Sequence, residues 1–179
     1  MKNSKILAGV AVCSVLGLAI LPVAGPVLAV DTENANTTVN VRIGETITLA
    51  MTGSNPTNID ATPGGAAATA TQTATVSTNS AGGYNLTLSM IGSDQKLNNG
   101  GNAIDPVTST ALGGDEWGYS LDSGTTYSAV PVVGAPVTID TAAGAVTGQA
   151  KTVTFGAKVT SALPSGNYTN QVVYTATTK

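Results

Sequence analysis

Three observations predict an all-β protein: an antiparallel sandwich of about seven to nine strands behind an N-terminal export signal. Apolar and polar residues alternate with a period of two in several segments, and no segment beyond residue 30 keeps helical spacing over three turns. Residues 30–179 hold 28 threonines with many valines and alanines, side chains that suit a pleated surface. Clusters of Gly, Pro and Asn separate the alternating runs, as turns between short strands require.

The export signal is read from residues 1–29. Lys2 and Lys5 precede an uncharged apolar run from Ile6, and Pro22 to Ala29 ends in Val27-Leu28-Ala29, which suits cleavage after Ala29. Left uncut, the apolar stretch would be long enough to span a bilayer, but Pro22, Gly25 and Pro26 interrupt a continuous helix there. The expected location is therefore outside the cell, secreted or at the cell surface. Residues 30–179 then form a single sandwich domain, with an N-terminal strand region over 37–51 and a long loop over 92–116. The only cysteine, Cys13, lies in the signal, so the domain has neither a disulfide nor a thiol.

Along the chain, Val39, Val41 and Ile43 alternate with Asn40 and Arg42. After Gly44-Glu45 the pattern resumes with Ile47, Leu49 and Met51. This predicts one bulged strand or two short ones. Residues 52–65, with Asn-Pro and Pro-Gly breakers, are a loop. Thr69–Thr78 and Tyr84–Ile91 flank Ala81-Gly82-Gly83 and are expected to pair as a hairpin. Beyond the long loop, strands are expected over Trp117–Leu121, Tyr127–Val133 and, beside a proline, Pro136–Ile139. The alternation of Val153, Phe155, Ala157 and Val159, the turn Leu163-Pro164-Ser165-Gly166, and the strand from Tyr168 to Thr177 read as a closing hairpin.

Three of these segments carry a resemblance. Val76-Ser77-Thr78-Asn79 before Gly83-Tyr84-Asn85-Leu86-Thr87-Leu88 resembles a hairpin of secreted bacterial surface proteins with Ig-like folds, and Trp117-Gly118-Tyr119-Ser120-Leu121 resembles their central aromatic strand. Gly156-Ala157-Lys158-Val159, Leu163 to Tyr168, and Val172-Val173-Tyr174-Thr175-Ala176 are similar to the closing hairpin of pilin and adhesin domains. The resemblance implies an Ig-like sandwich that serves as a structural or adhesive surface module. It offers no catalytic residues to transfer. Leu163 to Tyr168 is also similar to a tyrosine corner, in which the phenol bonds the backbone just upstream.

Composition narrows the function. Five cationic side chains against ten carboxylates in residues 30–179 give a net −5, so the basic surface needed for nucleic acid is missing. There is no histidine, which removes Ser-His-Asp catalysis and imidazole metal sites, and no enzyme is expected. Asp115 and Glu116 are strand neighbours that would point to opposite faces, a poor arrangement for a catalytic pair. No cofactor is expected. Calcium is the one ion suited to the loop oxygens of Asp94, Asn98, Asn99, Asp105, Asp115 and Glu116, although their spacing fits no EF-hand.

Two functional sites follow as expectations. In the first, Val39, Val41 and Ile43 form an assembly strand that adds to the sheet edge of a neighbouring surface subunit, a homo-oligomer included. The alternative is an ordinary first strand of its own domain. In the second, Trp117, Tyr119 and Tyr127 form a ligand-binding strip that stacks on glycans beside the 92–116 loop. The alternative there is that Trp117 anchors the core.

Overall fold

The computed structural model describes residues 33–55 and 57–179. The segment over 1–29 expected to be an export signal lies outside them. Among the described residues the protein is all-β, with nine strands and no helix. In chain order they are β1 (Ile47–Thr52), β2 (Ala68–Thr78), β3 (Tyr84–Met90), β4 (Leu97–Asn99), β5 (Asn102–Pro106), β6 (Glu116–Ser120), β7 (Val137–Ala142), β8 (Val146–Lys158) and β9 (Val172–Thr178). All lie within one compact unit, residues 42–179.

The strands form two sheets. One has the order β1-β2-β8-β6-β5-β4, the other β7-β3-β9. The core lies between them. From the larger sheet come Ala74, Val76, Val153, Phe155, Trp117 and Tyr119. From the smaller come Tyr84, Leu86, Leu88 and Met90 of β3, the alternate residues of its central strand, together with Ile139. Small side chains on β2 thus face large ones on β3, as interdigitating sheets require.

That division overturns both expected hairpins. β2 and β3 do not pair: β2 bonds β1 and β8, while β3 bonds β7 and β9. The intervening turn carries the chain from one sheet to the other. Gly83 is in the left-handed region at φ 81°, and a Cβ there would stand 2.1 Å from the carbonyl oxygen of Ala142. Only glycine passes so close to that backbone. β8 and β9 are likewise in different sheets, joined by a crossover and not by a hairpin.

Other departures have local causes. No strand forms over Val39–Ile43. The ladder begins at Ile47, where the Asn79 side chain accepts from the Thr46 N–H at 2.7 Å and donates to the Gly44 carbonyl at 2.8 Å, fixing the entry to β1. The 92–116 loop contains a hairpin of its own, β4 and β5, turned by Gly100 and Gly101. The sandwich is not wholly antiparallel, because β5 runs parallel to β6 through Asp105↔Glu116 and Pro106↔Trp117. Tyr127–Val133 is no regular strand. Ser128 exchanges both backbone bonds with Tyr119, then the Pro131 carbonyl accepts from Met90 at 2.7 Å, so the segment steps from one sheet to the other. Pro131 has no N–H with which to continue a ladder.

The sheets do not each keep one polar face. Residues 117–120 and 153–157 are buried on both sides. The outer side of β6 and β8 is covered by a second small core of Val107, Leu112 and Tyr127. Gly118 and Gly156 are cross-strand partners at the bottom of that cover. A Cβ on Gly118 would stand 2.7 Å from the Ser128 carbonyl oxygen and 2.8 Å from Cγ1 of Val107.

Candidate functional site: a cleft beside a free strand edge

β9 bonds β3 through one edge, and its other edge has no strand partner among the described residues. The chain ahead of it is firmly held. Asn98 and Thr169 exchange backbone bonds at 3.1 and 3.0 Å, and Nδ2 of Asn170 donates to the carbonyls of Asp94 and Lys96 at 2.9 and 2.7 Å. The Tyr168 hydroxyl donates to the Pro164 carbonyl at 2.7 Å, the bond expected of a tyrosine corner, on a half-buried ring. Residues 163–173 thereby make one wall of an open cleft of about 1310 Å³.

Residues 57–63 make the opposite wall. They are tied down where the Gly64 N–H donates to the Val159 carbonyl at 2.8 Å. The floor is apolar, with Leu97, Ile104, Trp117 and Phe155 from the larger sheet and Val159 just after β8. The rim is polar, and Asp60 is its one charged residue. Apart from Val172 and Val173 at the start of β9, neither wall is a strand, so no periodic pattern announces the cleft.

The aromatic residues do not form a surface strip. Trp117 and Tyr119 share a face as their spacing of two requires, but that face is the core, where they are 3 % and 6 % exposed. The Trp117 indole N–H donates to the Gln95 carbonyl at 2.7 Å. Tyr127 packs on the other side of the sheet with Val107 and Leu112. The reason is a shortage of large aromatic side chains: the one Trp and one Phe both go into the core, beside Tyr84, Tyr119, Leu86, Leu88 and Met90. Burial raises the phenol pKa of Tyr119, and burial followed by the charge of Asp122 raises that of Tyr127.

The carboxylates are engaged locally. Asp115, at φ 59°, accepts from the N–H and hydroxyl of Thr160 at 2.7 and 2.8 Å. Glu116 accepts from the Gly113 N–H and the Thr108 hydroxyl at 2.7 and 3.0 Å. Asp94 accepts from the Lys96 N–H and from Asn98, which lowers its pKa, and Lys96 pairs with Asp105 at 2.8 Å. Among the described residues no three acidic or thiol side chains are grouped to hold a metal ion. Asp122 is the most heavily bonded. It accepts from the Ser120 and Thr126 hydroxyls, both at 2.6 Å, and from the N–H groups of Thr125 and Thr126.

Val39, Val41 and Ile43 are 80 %, 82 % and 81 % exposed. No helix among the described residues is long and apolar enough to cross a membrane. Comparison with protein families, curated proteins and solved structures finds no match to this chain.

Proposed function

We propose that this protein is an exported, non-enzymatic module of the bacterial cell surface, an Ig-like sandwich with a structural or adhesive role that joins its neighbours by sheet-edge pairing. The observation that carries the reading is the segment Val39-Asn40-Val41-Arg42-Ile43. It has the alternation of a strand, exposes all three of its apolar side chains and belongs to no sheet. An exposed alternating segment gains by adding to an open edge, where backbone bonds give affinity and the side chains set register. Four strands end a sheet among the described residues, β1, β4, β7 and β9, and Thr169 bridges the outer edge of β4 through Asn98, which leaves β1, β7 and β9.

Light scattering and negative-stain microscopy on the purified chain test this. Filaments or concentration-dependent oligomers are expected, and deletion of residues 31–43 is expected to leave a monomer with an unchanged melting temperature. A compact monomer at every concentration would sink the assembly reading. It would move the weight to a ligand held in the cleft, whose floor includes Trp117, and a glycan array would follow.

A further inference from the structure

We infer that the acceptor for this segment is the cleft of a second copy, with Val39–Ile43 lying along the free edge of β9 and lowering its apolar side chains between the 57–63 and 163–173 walls. The inference rests on the assembly reading above and adds the identity of the partner surface.

Size is the first argument. At about 1310 Å³ the cleft exceeds the roughly 300–1,000 Å³ of small-ligand pockets. A segment of polypeptide fits that space better than a single small molecule. From Val39 to Ile43 an extended chain covers about 13 Å, with its three apolar side chains on one side. The cleft offers an apolar floor below, and Val172 and Val173 bring the unbonded edge at the start of β9 to its side, so the segment meets both of its needs in one place.

Charge is the second argument. Arg42 is the only charged residue between Glu33 and Glu45, and the only arginine in the chain. Asp60 is the only charged residue of the cleft lining and is exposed at the rim. With Val41 and Ile43 turned to the floor, Arg42 points the other way along the strand, toward the rim. Neither β1 nor β7 contributes a residue to the lining of the cleft.

Cysteine cross-linking of the full chain tests the assignment. Cys13→Ala removes the sole native thiol. Chains bearing Val41→Cys are mixed under mild oxidation with isotope-labelled chains bearing one acceptor cysteine: Val173→Cys on β9, Thr48→Cys on β1 or Thr138→Cys on β7. The expected result is a disulfide between labelled and unlabelled chains that accumulates with Val173→Cys at least tenfold over the other two. Preference for Thr48→Cys or Thr138→Cys would overturn the cleft assignment while leaving edge assembly intact. A chain carrying both Val41→Cys and Val173→Cys that closes on itself at a concentration-independent yield would also overturn it, with the segment then filling its own cleft. No inter-chain disulfide at any edge, together with a monomeric mass, would remove both the assignment and the reading beneath it.

Discussion

Gly156 lies directly under the ring of Tyr127: a Cβ on that glycine would stand 2.5 Å from Cε1 and 2.8 Å from the phenol oxygen. The contact forms the base of the cover over the outer side of β6 and β8, and a methyl group is enough to lift it. Gly156→Ala is expected to cost about 1–3 kcal/mol of unfolding free energy, the usual scale of overpacking. In urea melts the loss should shrink when Tyr127→Ala is combined with it, because the two residues share one contact. Additive losses would mean that the ring does not set the requirement for glycine.

Asp122 organises the turn after β6. Its carboxyl is held well below the usual carboxylate range, first by the Ser120 hydroxyl and then by the hydroxyl and N–H of Thr126. A carboxyl with a lowered folded-state pKa adds stability above its unfolded value of about 3.9, and that contribution is lost as pH falls from there toward the folded value. Melting temperatures measured from pH 6 down to pH 2 should therefore fall in the wild type. Asp122→Asn should start lower and fall less. An identical acid limb in both would show that the turn contributes nothing through this charge.

The phenols give the opposite limb. Burial, followed by the hydrogen bond to Asp140, raises the pKa of Tyr84, and burial alone raises that of Tyr174. A raised acid contributes stability that is complete below its unfolded value, about 10 for tyrosine, and is lost as pH rises. In a spectrophotometric titration these two phenolates should not appear until the fold gives way, in one cooperative step with the loss of β-sheet signal. Gradual ionisation of all five tyrosines near pH 10 in a folded protein would contradict the burial described.

Trp117 reports on the core. Its fluorescence should be blue-shifted and poorly quenched by acrylamide until unfolding. Trp117→Ala should cost about 3–5 kcal/mol and Leu86→Ala about 2–5 kcal/mol in denaturant melts. Ile91→Ala, at a side chain 57 % exposed, should change stability by no more than about 0.5 kcal/mol. A mild Trp117→Ala variant that lost binding to a surface glycan would restore the ligand-strip reading.

The strands were legible wherever burial alternates. Tyr84, Leu86, Leu88 and Met90 read correctly because β3 is buried on one face along its whole length, whereas β6, buried on both faces, is marked by its aromatic residues Trp117 and Tyr119. Pairing was not legible. The Ala81-Gly82-Gly83 turn looks the same in sequence whether it closes a hairpin or crosses between sheets. The choice depends on which faces meet, and that is a long-range property. Tyr127 was misplaced for a related reason: a cover of three residues over paired glycines has no period to read. The cleft, walled by loop residues 57–63 and by 163–171 with the start of β9, offers no pattern of its own.

The crossing between sheets also sets the order in which the molecule can form. Leu86 meets Ala176, and Ala74 meets Lys151, so β3 and β2 wait for partners roughly 90 and 77 positions downstream. Such remote pairings make folding slow, because chain closure must be paid before contacts return anything. A chain lacking β9 leaves β3 bonded along one side only, by β7, with the other side of its ladder open. The domain should therefore stay unfolded until Val172–Thr178 is free to close the ladder on β3.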